Sequence, residues 1–266
     1  MKKLRLIVAG ALVLGVITSC DKEEINTNEA EEETSSTSNT KAPTSTGEGG
    51  SLAQFTIVEN HLYTIDYKTL NIFDLSNPDE PVLVETINMG VGLETVFHQN
   101  GRLFIGANNG VHIYDITDPR SPQEISQFNH VTSCDPVVAN DHYVYATLRG
   151  GTTCGGVLSQ LDVIDISNVQ FPNLAGTYEL MNPYGLAISK ANEQLVYVCD
   201  GYEGVKVMDV SNPYGIQIVQ IYEGLEALDI IEDDNNHLIL LTRTGIYQFD
   251  ATNPTDLIEK SFIPVQ

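Results

Sequence analysis

Three carboxylates, Glu94, Asp135 and Glu226, lie at or just before the start of apolar stretches that are rich in β-branched residues. Two carboxyl groups held about 5–9.5 Å apart can divide the roles of proton donor and of base or nucleophile in glycoside hydrolysis. Carboxylates gathered at one mouth can also hold a cation, or can simply be solvated. No recognisable glycosidase motif surrounds these three residues, so their chemistry depends on whether the fold brings them together.

The other polar residues form no catalytic or metal-binding motif. His61, His142 and His237 each stand beside turn residues, and the remaining histidines have no metal-ligand spacing. The sequence contains neither a Gly-Lys-Ser phosphate loop nor a Gly-x-Ser-x-Gly elbow. We therefore predict no metal and no cofactor, with a cation at the carboxylate mouth as the alternative.

One short phrase, seen as "IYDITDP" and "VMDVSNP", recurs five times. Its aspartates are separated by 41, 50, 44 and 41 residues and are Asp74, Asp115, Asp165, Asp209 and Asp250. A catalytic group is rarely needed five times. An aspartate that ends a strand can instead accept a backbone N–H from the following Ser, Thr or Asn. The sequence therefore predicts five structural turns.

A period near 42 residues is the length of one propeller blade. In the second repeat the strands are legible as "LETVFHQ", "RLFIGA", "GVHIYDI" and "PQEISQF", broken by turn residues. Residues 51–266 are thus predicted to form an all-β propeller with five blades of four antiparallel strands. Second and third strands such as "HLILLT" are apolar enough to be covered on both faces, and closure is expected from blade one packing against blade five.

The phrases "GVKVMDVSNP", "GVHIYDITDP" and "LNIFDLSNPDEPVLV" resemble LVIVD repeats, which occur in extracytoplasmic proteins of bacteria and archaea. The resemblance implies a propeller-type architecture and no common biochemical activity. The third repeat departs from it, with Val169 in place of proline and an insertion at 149–160. The fifth has Ala251 where an aliphatic residue is usual.

In a propeller, the connections between blades share a face with the loops between second and third strands, and function usually lies on loops. The loops expected to present a binding surface are 88–95, 129–136, 148–156, 200–204 and 222–227. The residues predicted to form that surface are Glu94, Asp135, Arg149, Tyr184, Tyr202, Glu226 and Arg243. Because the chain has no tryptophan, stacking on a sugar would depend on the tyrosines.

The cysteines and the N-terminus indicate export. Cys134 and Cys154 are predicted to form a disulfide that pins the inserted loop, and Cys199 reads as a buried strand thiol. Residues 1–19 have the shape of a signal peptide, and "ITSC" resembles a lipobox, which implies cleavage before Cys20 and lipidation of its thiol. Residues 20–50 are polar and acidic and are predicted to form a disordered tether.

The residues after Cys20 bear on location and partners. Lys22-Glu23-Glu24 resembles an acidic surface-export signal, whereas Asp21 alone would favour inner-membrane retention. We expect a lipid-anchored, surface-exposed position in the outer membrane. Residues 51–266 carry a formal charge of −20 out of −23 for the whole chain, which disfavours nucleic acid as a partner.

These observations lead to one functional hypothesis with two alternatives. The leading hypothesis is a surface-anchored, non-enzymatic propeller that binds a protein or glycan partner through one loop face. The first alternative is a glycan-active enzyme, a hydrolase or lyase, that uses Glu94, Asp135 and Glu226. The second is a purely structural module of an envelope assembly.

Overall fold

The computed structural model describes residues 50–90, 92–129, 136–152 and 156–265. These residues form twenty strands in five four-stranded sheets, and each sheet is a simple antiparallel meander. The strands are β1 Phe55–Val58, β2 His61–Ile65, β3 Thr69–Asp74, β4 Val82–Asn88, β5 Leu93–Gln99, β6 Arg102–Ala107, β7 Gly110–Asp115, β8 Gln123–Asn129, β9 Val137–Ala139, β10 Tyr143–Leu148, β11 Gln160–Asp165, β12 Asn173–Glu179, β13 Leu186–Ile188, β14 Leu195–Cys199, β15 Val205–Asp209, β16 Gln217–Tyr222, β17 Ala227–Glu232, β18 His237–Thr242, β19 Gly245–Asp250 and β20 Ile258–Pro264.

The sheets are the five blades of a propeller, numbered one to five along the chain, and the predicted fold class is confirmed. The first strand of each blade is innermost. We call the end that carries the blade-to-blade connections and the second-to-third-strand loops the loop face. The opposite end, with the first-to-second-strand hairpins and the third-to-fourth-strand turns, is the hairpin face. No helix among the described residues is long and apolar enough to cross a membrane.

The five repeated aspartates occupy one structural position. Each is the last residue of a third strand, and its Oδ1 accepts the backbone N–H of the residue two positions later. The five N···O distances are 2.8 Å for Asp74, 2.7 Å for Asp115, 2.8 Å for Asp165, 2.9 Å for Asp209 and 3.0 Å for Asp250. These hydrogen bonds hold the pKa of Asp74 and Asp115 below the ordinary range. Each aspartate thus makes the hydrogen bond across the turn that the sequence pattern predicts.

Asp209→Ala is expected to lower the free energy of unfolding by about 1 kcal/mol, because the Ser211 N–H loses its protein acceptor. Asp209→Asn keeps an acceptor oxygen in the same place and should retain most of the stability. Urea unfolding of the two variants checks this. Identical midpoints for Asp209→Ala and the parent would contradict the role of the carboxylate in the turn.

A β-bulge accompanies every one of these turns, and the sequence did not reveal it. The register between third and fourth strands shifts at Ile72/Phe73 in the first blade and at Val207/Met208 in the fourth, and the other three blades shift at the same place. One extra residue on the outer strand increases its local twist. The bulge thus belongs to the repeat as much as the aspartate does.

Four apolar clusters hold the blades together, one at each interface between consecutive blades. Between blades two and three, for example, Phe104 and Ile113 pack with Val144 and Ile164. Strands of the middle blades are therefore covered on both faces, as predicted. Among the described residues, no fifth cluster joins blade five to blade one.

Blade five is accordingly covered on one face only. Leu238 and Leu240 of β18 are buried against blade four, whereas Ile239 and Leu241 are 38% and 40% exposed and Ile246 of β19 is 36% exposed. The expectation that "HLILLT" is covered on both faces is therefore wrong, whereas closure by packing of blade one against blade five stays a prediction. The physical reason is that, among the described residues, no buried apolar cluster of blade one covers this face of blade five.

Candidate functional site

Five of the seven predicted binding residues form one connected group on the loop face. Arg149 follows β10, and its guanidinium carbon lies 4.0 Å from the centre of the Tyr184 ring, which precedes β13. A cation over an aromatic face is attracted by the negative face of the ring. The backbone of this loop is fixed as well, since the Thr147 hydroxyl donates to the Tyr184 carbonyl at 2.6 Å.

Glu226 and Arg243 form an ion pair in which Nε of Arg243 donates to Oε1 of Glu226. This hydrogen bond raises the pKa of Arg243, and the nearby phenols of Tyr202 and Tyr184 add to the shift. The Glu226 side chain is mostly covered, whereas the Tyr202 side chain is exposed. Arg149, Tyr184, Arg243, Glu226 and Tyr202 therefore belong to one patch, which we call the Tyr–Arg patch.

Glu94 does not occupy the position expected for it. It lies inside β5, where the register shifts between Leu93 and Thr95, and it is half-buried. When β5 and β17 are aligned by their bulges, Glu94 lies two residues further along the innermost strand than Glu226, which precedes β17. Asp135 lies outside the described residues, as do Cys20, Cys134 and Cys154, so the predicted lipidation and disulfide stay predictions. Cys199 is free and fully buried, as predicted, and burial raises the pKa of its thiol.

Apolar side chains enlarge the exposed part of the loop face. Met181, in the connection that leads to Tyr184, is exposed, and so are Tyr67 and Val157 in second-to-third-strand loops. Large exposed aromatic and thioether side chains beside arginine are the composition enriched at binding surfaces. The loop face thus combines exposed apolar side chains with the cations of the Tyr–Arg patch.

A buried ion pair beneath this face was missed by sequence reasoning. Asp200 follows β14, is 0% exposed, and accepts the backbone N–H groups of Met181 and Asn182, the latter at 2.6 Å. Its other oxygen, Oδ2, accepts from the ammonium of Lys206 in β15. Asp200 therefore anchors the loop that carries Met181 and Tyr184. The lysine inside the apolar phrase "GVKVMDV" was the one available signal.

The residues before β1 reach the innermost strands of blades four and five. The Ser51 hydroxyl accepts the Leu186 N–H at 2.7 Å and lies 3.4 Å from Oδ1 of Asp229, to which it donates. A cavity of about 230 Å³ lies at the hairpin-face end of the innermost strands, where Gln99, Asn140 and Ser189 line it. The enclosed space therefore lies at the opposite end of the channel from the carboxylate mouth that the sequence predicted.

Two acidic side chains of β17 lie along this channel. Burial raises the pKa of Asp229 to about 6 and that of Glu232 to about 7. Glu232 lines the cavity, and its Oε2 accepts the Lys190 N–H at 3.2 Å. Within the described part of the chain, no group of three His, Cys, Asp or Glu side chains is arranged to hold a metal ion.

Comparison with known proteins identifies the repeats. The LVIVD repeat family matches residues 49–89, 101–130, 157–179 and 190–223. These segments correspond to the first four repeats, with the shortest match in the third, where the sequence departs most from the pattern. No curated protein has a significantly similar sequence.

Solved structures share the architecture at low sequence identity. A protein from Lactobacillus plantarum is 12% identical with a TM-score of 0.63, over 77% of this chain and 69% of the other. A functionally unknown protein from Desulfotomaculum acetoxidans is 9% identical with a TM-score of 0.61, over 77% and 66%. The periplasmic gluconolactonase of Pseudomonas aeruginosa is 14% identical with a TM-score of 0.57, over 78% and 70%. The chain is thus a five-bladed β-propeller in which LVIVD repeats are found in the first four blades.

Proposed function

We propose that this protein is an anchored, non-enzymatic binding module whose loop face holds a protein or glycan partner. The observation that carries the proposal is the Tyr–Arg patch, in which residues from three blades converge beside exposed apolar side chains. Aromatic side chains and arginine are the residues that most often dominate binding energy. The rigid blades hold these loops in place, so little conformational entropy is lost when a partner binds.

The charge of the protein narrows the class of partner. A chain with a formal charge of −23 repels nucleic acids and other polyanions at long range. Arg149 and Arg243 are the cations of the Tyr–Arg patch, and both are already engaged, by Tyr184 and Glu226 respectively. The patch therefore suits a neutral or mixed-charge surface, such as a glycan or a protein loop, better than a highly anionic polymer.

Tyr202→Ala tests this function, and the chain offers a matched control. Tyr202 is 76% exposed on the loop face, and Tyr214 is 85% exposed on the hairpin face. Immobilised domain is used to capture envelope proteins, and a glycan array is screened in parallel; the affinity of the recovered partner is then measured. We expect Tyr202→Ala to weaken binding at least about ten-fold, the range of an interface hot spot, and Tyr214→Ala to leave it unchanged. Equal losses in both variants would contradict a binding role for the loop face.

The glycan-active alternative has weaker support. Glu226 forms an ion pair with Arg243. Glu94 and Glu226 also do not occupy equivalent positions, because Glu94 lies two residues further along its innermost strand than Glu226. The gluconolactonase likeness, at 14% identity, is a likeness of fold. Hydrolysis of a polysaccharide that is abolished by Glu94→Ala and Glu226→Ala would favour this alternative over a binding module.

The proposed location is the outer-membrane surface, reached through lipidation of Cys20. The support comes from the sequence: the signal-like residues 1–19, the lipobox-like "ITSC" and the acidic triplet after the cysteine. Cys20→Ala is expected to shift the protein from the membrane fraction to the soluble fraction, because buried acyl CH₂ groups contribute about 0.8 kcal/mol each. Protease added to intact cells should remove the parent domain. Protection of the domain in intact cells would contradict surface exposure.

A further inference from the structure

The cavity near the hairpin face is built by all five blades. Each blade contributes at least one lining residue from its innermost strand or from the position that follows this strand: Thr56, Gln99, Asn140, Ser189 and Glu232. A small molecule in the cavity would therefore contact the whole set of blades. The cavity lies at the opposite end of the innermost strands from the Tyr–Arg patch, so it is a separate place for a ligand.

One carboxyl oxygen on the cavity wall has no hydrogen-bond donor. Glu232 is 2% exposed, and its Oε2 accepts the Lys190 N–H at 3.2 Å. Its Oε1 is buried and accepts no hydrogen bond from the part of the chain that the structure describes, and the Tyr197 hydroxyl is likewise without a partner there. The Ser189 hydroxyl is near both groups, but its single proton can serve only one of them. A buried acceptor without a donor costs free energy, which a ligand that donates to Oε1 would recover.

The charges around Glu232 favour a cationic donor. Glu193 adds a second carboxylate to the lining. The ammonium of Lys190 lies 3.3 Å from Oδ1 of Asp234, so its charge is already paired. Burial lowers the pKa of His98, which keeps this imidazole of the cavity wall neutral at pH 7. The formal charge of −23 attracts cations at long range as well.

The size and the apolar walls of the cavity suit a short aliphatic molecule. A volume of about 230 Å³ equals about seven or eight water molecules at about 30 Å³ each, which is less than a drug-sized ligand needs. Phe97, Val138, Ile188 and Ile230 line the cavity beside the polar groups. A metal ion fits less well, because no three His, Cys, Asp or Glu side chains of the described ranges are arranged to hold one.

We propose that this cavity binds a small aliphatic primary amine, whose ammonium group donates to Oε1 of Glu232 while its alkyl part packs on Val138 and Ile230. An ammonium group has three N–H donors, and the side-chain oxygens of Gln99 and Thr56 are acceptors on the same wall. The proposal goes beyond partner binding at the loop face. It can fail while the proposed function holds, and the reverse.

Titration of the full-length protein with n-butylamine tests the proposal, and 1-butanol is the matched probe without the charge. The backbone amide NMR signals of Asn140 and Ser189 are expected to shift saturably with n-butylamine, with an affinity at least about ten-fold higher than for 1-butanol. Glu232→Gln should weaken amine binding at least about ten-fold, because the ligand loses its carboxylate partner. Glu259→Gln changes the net charge equally at an exposed position of blade five and should leave binding unchanged.

The pH dependence is a readout that a purely structural role of Glu232 would not produce. Burial raises the pKa of Glu232 to about 7, and the ammonium group binds the ionised form. The affinity of the parent for n-butylamine is therefore expected to rise about ten-fold from pH 6 to pH 8. Glu232→Gln should remove most of this rise, which separates Glu232 from the other titratable groups beside it or on the wall: His98, Lys190, Glu193, Tyr197, Asp229 and Asp233.

The comparison of the two probes and the pH series use the parent chain, so the test does not depend on the folding of a variant. Absence of a saturable shift with n-butylamine, or equal affinity for 1-butanol, would overturn the proposal. So would equal weakening by Glu232→Gln and Glu259→Gln, or an affinity of the parent that does not rise between pH 6 and pH 8.

Discussion

Lys206→Met is expected to lower the free energy of unfolding by about 3–5 kcal/mol, because it leaves the carboxylate of Asp200 buried without its cation. Asp200 is 0% exposed and Lys206 is 7% exposed, so water cannot replace the ammonium without opening blade four. Asp200 also accepts hydrogen bonds from the backbone N–H groups of Met181 and Asn182, which reduce the free-energy cost of the unpaired carboxylate without removing it. Urea unfolding followed by far-UV circular dichroism measures the change.

Two further variants separate the buried charge from simple loss of a side chain. Lys260→Met makes the same substitution in the exposed pair with Asp250 and should cost less than about 1 kcal/mol. Asp200→Asn combined with Lys206→Met removes both charges and should recover a large part of the stability lost in Lys206→Met. Equal destabilisation by Lys206→Met and Lys260→Met would show that the buried pair has no special role.

Stability is also expected to fall as the pH rises from about 4 to about 8, through Asp229 and Glu232. Both carboxyls have a folded-state pKa above the ordinary value, about 6 for Asp229 and about 7 for Glu232, because burial disfavours the charged form. A raised pKa means that the folded state holds its proton more tightly than the unfolded state does. The stability that this contributes is complete below the unfolded-state pKa, near 4, and is lost as the pH rises through 6 to 7.

The size of the effect follows from the shift. A shift of about two pKa units corresponds to about 3 kcal/mol, which is an upper figure for Asp229 because it is only partly buried. Asp229→Asn and Glu232→Gln each remove one titrating group, and each should flatten the dependence of the unfolding free energy on pH between 4 and 8. Unfolding in urea at five pH values measures the slope. If the variant that combines Asp229→Asn with Glu232→Gln kept the same slope of unfolding free energy against pH, the assignment of the pH dependence to these two carboxyls would be contradicted.

The fold could be predicted because its information is local and repeated. Each strand is a short run of β-branched and aromatic residues between turn residues, and each aspartate bonds to an N–H only two residues away. Such contacts leave a pattern that one sequence shows five times, so the blade count and the role of Asp74 and its equivalents followed directly. The Tyr–Arg patch was predicted in part for the same reason, since topology alone places its loops on one face.

The contacts that sequence reasoning missed join residues far apart in the chain. Ser51 contacts Asp229 across 178 positions, and no local sequence pattern indicates this hydrogen bond. Asp200 reads as a loop residue until β14 and β15 place it beside Lys206. The carboxylate mouth was predicted on the assumption that Glu94 and Glu226 hold equivalent positions in their blades. When the bulge at Leu93/Thr95 is aligned with the bulge at Ala227/Asp229, Glu94 lies two residues further along its strand than Glu226.

Because no apolar cluster among the described residues joins blades five and one, the propeller is energetically closer to a linear array of blades than to a closed ring. In an array of modules, stability is approximately the sum of each module's own stability and its nearest-neighbour interfaces. Blades two, three and four have two apolar interfaces each, whereas the terminal blades have one. The hydrogen bond from Ser51 to Asp229 ties the innermost strand of blade five to the chain before β1, so we expect the outer strands β19 and β20 of that blade to open before the rest of the array.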